Sequence, residues 1–240
     1  MLGYKSARER LDGLKWYGVD QSCDEVKVVR MDASQMTPSW TEDDMLVHVG
    51  MVAGECYGSS TDSDKCLNRA LSCAKNGHHS PFEHFVASLK FTVDRGTSHA
   101  LVRHRHCAFQ QGSTIYQRYD NGIAIVGLPS LDPCIDDPVK RQVKYIDNMD
   151  MYKAQYAEYR RLIEAGIPHR QARDVLPTCL ATNIIITTNL RQWMYMIQRR
   201  IGPGDAVRMH VWAMITRAWF ECHYPKITDT FDAWYERHPL

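Results

Sequence analysis

The stretch that most constrains the fold is a β-branched run that leads directly into an amphipathic helix. Residues 184–186 are three isoleucines followed by two threonines, a composition typical of a buried strand. Asn189 follows this run and predicts an N-cap for a helix that ends near Gly202-Pro203. In that helix Leu190, Trp193, Met194 and Ile197 form the apolar face.

Three further segments predict other parts of the architecture. Apolar residues alternate with more polar ones over residues 85–93, which predicts a strand. Asp62 or Ser63 could cap a helix that ends at Asn76-Gly77, and a three- and four-residue apolar spacing predicts a long helix over residues 138–165. We therefore expect an α/β (α+β) fold in which helices flank a central β-sheet.

Composition limits the class of protein. The 240 residues are 44% hydrophobic and 24% charged, which is typical of one globular domain, with residues 1–25 as a divergent lead-in. A formal net charge of +1 disfavours a general nucleic-acid binder. No apolar run is long enough for a membrane span or a signal core, so we expect a cytoplasmic protein whose 8 cysteines are reduced.

The most unusual chemistry lies in Arg103-His104-Arg105, which we expect near the C-terminal end of a helix that begins at about Thr97. On a helix, three successive side chains fan over roughly 200°, so they cannot share one solvated stripe. Two interpretations remain open. One is a basic surface patch, and the other is a site for a phosphate or nucleotide, whose oxygens match the planar donor fork of arginine.

Two arginines on the helix after Asn189 also suggest an anionic ligand. Arg191 lies in the first helical turn, where a cation opposes the helix dipole unless an anion lies nearby. A bound phosphate would resolve this conflict. Arg200 falls on the apolar face and therefore needs a partner, whereas Arg199 lies on the polar side.

The histidines at 78, 79 and 84 raise the question of a metal site. Their spacing suits no helical pair of ligands, and Pro81 interrupts the segment. We therefore predict a shaped turn that leads into the following strand, with no bound metal.

Together these residues resemble the signature of the flavin-dependent thymidylate synthases. Arg103-His104-Arg105 is followed, after seven residues, by Ser113, as in that signature. The resemblance extends over roughly residues 43–222, because further blocks keep the family's spacing: Ser80-Pro81-Phe82-Glu83-His84, Ala172-Arg173-x-x-Leu176-Pro177, Asn189-x-Arg191 and Arg200.

The resemblance implies the fold of the flavin-dependent thymidylate synthases, an activity and a set of cofactors. It implies an enzyme that methylates C5 of a uridylate with methylenetetrahydrofolate as carbon donor and with NADPH as reductant through bound FAD. It also implies a homotetramer whose active sites are each built from several subunits, without a cysteine nucleophile. No nucleic-acid or membrane partner is expected.

The resemblance also implies roles for individual residues. Arg200 would be the catalytic arginine beside the uracil ring. Matches to flavin contacts are His78, Ser80, Arg103, His104, Arg105, Asn189 and Arg191. The nucleotide side would comprise Ser113, Thr114, Gln111, Arg173, Ala100 and Arg118.

Several residues on the nucleotide side depart from the family pattern. Ala100 stands where glutamine is common, Gln111 where glutamate is common, and Ile115 where the family has a phosphate-binding arginine that Arg118 could replace. The flavin side is nearly intact. We therefore hypothesise a pocket that admits a ribose 2′-hydroxyl, so that UMP is methylated as well as dUMP, as in family members of polyoxin-type antibiotic biosynthesis.

Four alternatives stay open at this point. Two are enzymes: a dUMP-specific thymidylate synthase with a divergent motif, and a hydroxymethyl transferase, which product mass would distinguish. The other two belong to a different class: a nucleic-acid-binding protein and a catalytically silent flavin-binding protein. Binding that does not weaken steeply with salt would exclude the nucleic-acid binder.

Overall fold

The structure is a computed structural model, and it describes residues 7–17, 19, 22–37, 40–59, 61–129, 148–201 and 206–239. Parts of three predictions lie outside the described residues: the beginning of the lead-in, the start of the helix predicted over residues 138–165, and the helix end at Gly202-Pro203.

The strands form one larger sheet and two small pairs. In chain order they are β1 (Trp16–Tyr17), β2 (Val26–Val29), β3 (Asp32–Gln35), β4 (Val86–Asp94), β5 (Ala108–Gln111), β6 (Ile123–Val126), β7 (Leu128–Pro129) and β8 (Ala181–Asn189). The larger sheet has the order β3-β4-β8-β5, with every neighbouring pair antiparallel. β2 pairs with β6 in parallel, and β1 pairs with β7 antiparallel.

Helices account for most of the remaining described residues. They are α1 (Ala7–Asp12), α2 (Glu42–Glu55), α3 (Ser63–Lys75), α4 (Arg95–Leu101), α5 (Asn148–Glu164), α6 (His169–Ala172), α7 (Leu190–Ile201), α8 (Val207–His223) and α9 (Pro225–Arg237), with 3₁₀ turns at Ser80–His84 and Arg173–Val175. None of these described helices combines the length and the apolar character that crossing a bilayer requires.

The central pair of strands confirms the two strand predictions. β4 and β8 pair along nine residues, from Val86 opposite Asn189 to Asp94 opposite Ala181. One face of this pair is buried and carries Leu89, Phe91 and Ile186 among others, because side chains alternate along each strand. The predicted fold class, a central sheet with flanking helices, is therefore confirmed.

Helices α7 and α8 cover the buried face of the sheet. Trp193 of α7 and Trp212 of α8 are fully buried, and each ring lies about 6 Å from that of Phe91, at 6.1 and 5.7 Å. The Trp193 indole N–H donates to the Ala87 carbonyl at 3.2 Å, so its one polar atom is satisfied in the core. This packing fixes the position of α7 and of the arginines on it.

The helix caps follow the sequence closely. Of the two predicted cap candidates, Asp62 caps α3, and its side chain accepts a hydrogen bond from the Lys65 amide. At the start of α7, Asn189 Oδ1 accepts from the Gln192 amide at 2.9 Å, which confirms the predicted cap. Helix α2 begins with a capping box between Thr41 and Asp44.

One predicted boundary is wrong. The helix before the arginine cluster begins at Arg95 and ends at Leu101, so Arg103-His104-Arg105 lies in the turn after α4. Asp94 starts this helix early, because its carboxylate accepts from both the amide and the hydroxyl of Thr97. The cluster can spread its side chains because it belongs to a turn.

Candidate active site

A cavity of about 810 Å³ opens where the turn after α4, the start of α7 and the end of α9 meet. It is lined by His79, Glu83, Arg103, His104, Arg105, His106, Asn189, Arg191, Gln192, Tyr195, Trp234 and Tyr235. Its wall therefore combines several cations with several aromatic rings. An anionic ligand with a planar ring system fits this chemistry.

Five of the seven residues matched to flavin contacts meet at this cavity. Arg103 and Arg105 are exposed and His104 is half-buried, while Asn189 and Arg191 enter from the start of α7. The other two, His78 and Ser80, are exposed in the turn beside the cavity and do not line it.

Hydrogen bonds fix the turn that carries Arg103-His104-Arg105. His106 has a φ of 58°, in the left-handed region, and its carbonyl accepts a 2.6 Å hydrogen bond from the Thr188 hydroxyl of β8. The Cys107 thiol donates to the Arg105 carbonyl, and burial raises its pKa, so this thiol stays protonated. A protonated, buried thiol is a poor nucleophile.

Arg191 has an anionic partner within the chain. Its guanidinium forms an ion pair with Glu83 of the 3₁₀ turn. The conflict between Arg191 and the dipole of α7 is thus relieved by a carboxylate of the protein and does not need a phosphate. Both side chains are about half exposed, so a ligand in the cavity can still reach Arg191.

Arg200 lies against the signature cluster. Its Nε–H donates to Nε2 of His104 at 3.2 Å. In this contact Nε2 of His104 is the acceptor, which requires the tautomer that carries its proton on Nδ1. The predicted catalytic arginine and the middle residue of the signature are therefore neighbours, even though they are 96 residues apart.

The cavity floor includes His79, which the sequence did not single out as a contact. His79 is buried, its Nε2–H donates to the Ala74 carbonyl, and desolvation lowers its pKa, so the ring is neutral. Its ring packs against the rings of Phe231 and Trp234, at centroid distances of 4.5 and 4.6 Å. No cluster of His, Cys, Asp or Glu that could hold a metal occurs in the described part of the chain.

Sequence reasoning also missed the aromatic wall from α9. Trp234 and Tyr235 line the cavity, and neither was among the predicted site residues. The signal that could have found them is the spacing of Phe231, Trp234 and Tyr235, which places the three rings on one helical face.

Four of the six residues predicted for the nucleotide side, Gln111, Ser113, Thr114 and Arg173, meet at the end of β5. Arg173 donates to the Thr114 hydroxyl at 2.7 Å, beside half-buried Ser113. The Gln111 amide donates to Ser98 Oγ at 2.8 Å. Two predicted residues are placed differently: Ala100 packs against the hydrophobic core, and exposed Arg118 forms an ion pair with Asp120 at 2.9 Å.

Comparison with known proteins adds a family to this geometry. The family model described as "Thymidylate synthase complementing protein" (Thy1) matches residues 30–218. A flavin-dependent thymidylate synthase from Kosmotoga olearia is 25% identical over 223 residues, which cover 86% of this chain and 93% of that protein. One from Geobacter sulfurreducens is 32% identical over 167 residues, covering 63% and 67%. For the Mycobacterium avium enzyme the identity is 32% over 147 residues, about half of each chain at 55% and 56%.

A solved structure shares the fold. The crystal structure of the UMP/dUMP methylase PolB from Streptomyces cacaoi, bound with 5-Br dUMP, aligns with a TM-score of 0.70 at 20% identity, and the alignment covers 87% of this chain and 97% of that one. The family match extends from before β3 to the last turns of α8 and includes every residue of the signature. This chain therefore belongs to the Thy1 family, the family of the flavin-dependent thymidylate synthases.

Proposed function

We propose that this chain is a flavin-dependent enzyme that methylates C5 of a uridine 5′-monophosphate and accepts UMP as well as dUMP. The observation that carries the proposal is the convergence of Arg103, His104, Arg105 and Arg191 on one cavity, with Arg200 bonded to His104. Residues far apart in the chain thus produce a single cationic site next to a candidate catalytic arginine.

The cavity suits a flavin nucleotide in size and in chemistry. Its volume of about 810 Å³ lies in the range of cofactor sites. Exposed arginines suit phosphate oxygens, and Tyr195 and Trp234 suit a planar ring. In this proposal Arg103, His104, Arg105, Asn189 and Arg191 hold FAD, and His78 and Ser80 contact it from the adjoining turn.

The reaction divides between the cofactors and the protein. Bound FAD supplies the relay of reducing equivalents from NADPH to the one-carbon unit donated by methylenetetrahydrofolate. Arg200 supplies a fixed cation beside the pyrimidine, where it stabilises the negative charge that develops on the carbonyl oxygens as C5 becomes nucleophilic. Its bond to His104 holds the guanidinium in place before substrate binds.

The nucleotide side supports acceptance of a ribose. Gln111 is neutral, and its amide group is held by Ser98, which leaves the amide oxygen to accept a hydrogen bond from a ribose hydroxyl. Ala100 is small and packs into the core, so no side chain from that position fills the pocket. The name of the structural neighbour, a UMP/dUMP methylase, also supports a proposal that includes both nucleotides.

Product analysis tests this function directly. Purified protein is incubated with FAD, NADPH, methylenetetrahydrofolate and either UMP or dUMP, and the products are weighed by mass spectrometry. A gain of one methyl group on both nucleotides is expected. A kcat/KM preference for dUMP of roughly a thousandfold or more would refute the altered pocket and leave a dUMP-specific synthase for DNA precursors.

A further inference from the structure

We propose that Arg95 is a second phosphate-binding arginine of the uridylate site, acting together with Arg173 at the segment 112–114. This inference rests on the proposed function and deepens it, because it assigns the cation that meets the 5′-phosphate. The residue lies at the start of α4, outside every block on which the family resemblance was based.

The backbone of Arg95 is held by hydrogen bonds, whereas its side chain makes one long contact and no ion pair among the described residues. Its amide donates to the Leu180 carbonyl at 3.1 Å, and its carbonyl accepts from Ser98 Oγ at 2.9 Å. The half-buried guanidinium makes only a long 3.5 Å contact with the Gly112 carbonyl and forms no ion pair among the described residues. A partly desolvated cation without an acidic partner is costly unless a ligand supplies the anion.

Arg173 contacts the same segment. It donates to Thr114 Oγ1 at 2.7 Å, two residues beyond the glycine that Arg95 contacts. The two guanidiniums also share a neighbour: burial raises the pKa of the Tyr119 phenol, and the positive charges of Arg95 and, less strongly, Arg173 oppose that rise. Two cations and the Ser113 and Thr114 hydroxyls therefore lie together at one small segment.

This arrangement matches a phosphate monoester. Such a group carries between one and two negative charges near neutral pH and presents three terminal oxygens. Two arginine forks can neutralise that charge with paired N–H donors, and the two hydroxyls can satisfy the remaining oxygen. A neutral nucleoside would gain nothing from the same two guanidiniums.

Arg118 is the competing cation, and its surroundings are different. It is exposed and pairs with Asp120 at 2.9 Å, so its charge already has a partner. These contacts favour Arg95 over Arg118 as the cation that acts with Arg173.

The test compares a nucleotide with its nucleoside. Calorimetry on the FAD-loaded protein measures the dissociation constants of UMP and uridine for the wild type, Arg95→Gln, Arg95→Lys and Arg118→Gln. Arg161→Gln removes a charge from an exposed arginine paired with Glu158 and serves as the matched control. Melting temperature and flavin absorbance show that each variant is folded and loaded.

Arg95→Gln is expected to weaken UMP binding about 10- to 100-fold and to change uridine binding by less than about twofold. Arg95→Lys should recover part of the loss, because lysine keeps the charge and loses the fork. Equal losses for UMP and uridine would reveal a structural role and overturn the inference, as would a phosphate-specific loss in Arg118→Gln alone.

The two proposals fail in different ways. A wild type that binds neither UMP nor dUMP would refute the proposed function and this inference with it. A wild type that methylates UMP while Arg95→Gln binds it undiminished would refute the role of Arg95 alone.

Discussion

At the scale of single residues, the contact between Arg200 and His104 is the most informative. The 3.2 Å bond joins α7 to the turn after α4. Lysine at position 200 would keep the charge and lose the planar guanidinium and its Nε–H donor. A residue that only balanced charge would tolerate this change, whereas a residue that must point at the pyrimidine would not.

We therefore expect Arg200→Lys to lower kcat for uridylate methylation about 10²- to 10³-fold while flavin absorbance is retained. Steady-state kinetics with a flavin spectrum of each preparation provide the measurement. Arg199→Lys is the control, because Arg199 is the exposed neighbour on the same helix. A variant that kept nearly full kcat would remove Arg200 from the chemistry.

Asp232 of α9 is a second residue with a measurable signature. Burial raises its pKa from 3.8 to about 6, although Arg217 lies 2.6 Å from its carboxylate and opposes the rise. Glu221, Asp229 and Glu236 add to the rise. The folded state thus holds a proton that the unfolded state releases between pH 3.8 and about 6.

It follows that Asp232 costs stability as pH rises through this window, by an upper estimate of about 3 kcal/mol when fully ionised. The difference in unfolding free energy, wild type minus Asp232→Asn, should therefore fall between pH 4 and pH 7. Urea unfolding of both proteins at several pH values measures it. A difference that grew with pH would show that the ion pair with Arg217 outweighs burial.

The residues of the site were predictable where the reason for them is local or carried by the resemblance. The arginine cluster, the Asn189 cap and the need of Arg200 for a partner could all be inferred from sequence. Glu83 could not be identified as the partner of Arg191, because the two lie 108 residues apart and meet only after the sheet has formed. The packing of Trp234 against His79 was likewise not predictable, because these residues are distant in the chain and meet only in the folded protein.

At the scale of elements, the turn between α3 and the 3₁₀ segment lies against Trp234 in the cavity wall, so a substitution in this turn can affect both stability and the cavity. Gly77 has a φ of 78°, and a Cβ there would lie 2.8 Å from Nε1 of Trp234. Gly58 has a similar φ of 56° but open space around it. Substitutions at the two glycines can therefore distinguish backbone strain, which both would cause, from displacement of Trp234, which only the change at Gly77 would cause.

Alanine at either glycine should cost about 1–2 kcal/mol of stability through left-handed strain. Only Gly77→Ala should also weaken flavin binding, because it must shift Trp234 at the cavity. Thermal unfolding measures the strain, and fluorescence titration of the apoprotein with FAD measures the binding. Equal flavin affinity in the two variants would show that Trp234 does not contact the flavin.

Sequence reasoning succeeded for elements with strong local signals and failed at boundaries set by tertiary contacts. β4 and β8 carry alternating apolar residues, so their position followed from the pattern. The start of α4 was misplaced because the capping role of buried Asp94 is not evident from the pattern. β5, with only four residues, acquires its identity by pairing with β8.

At the scale of the whole molecule, β5 divides the site into two ends. The cavity with Arg103-His104-Arg105 precedes this strand, and the cluster of Ser113, Thr114 and Arg173 follows it. The strand alone separates its ends by about 10 Å, and the residues on either side add to this distance. A shared site between copies would bring one chain's flavin end to another chain's nucleotide end.

Mixing two inactive variants tests this arrangement. Arg200→Gln removes the catalytic arginine that the chain presents at its flavin end, and Arg173→Gln removes an arginine of the nucleotide end. If each active site joins the two ends from different copies, a hybrid of the two variants contains one site with both defects and one with neither. Co-refolding at equal amounts should therefore restore about a quarter of wild-type methylation activity, since half of the pairs are hybrid and half of their sites are intact.

The measurement is kcat of the co-refolded mixture against the two variants simply combined without unfolding, with light scattering to confirm the same assembly in each sample. Recovered activity that requires co-refolding indicates exchange of subunits within shared sites. A mixture as inactive as its components, in an oligomer that has demonstrably exchanged, would mean that both ends serve the same site within one chain. The bound nucleotide would then have to span β5 inside a single subunit.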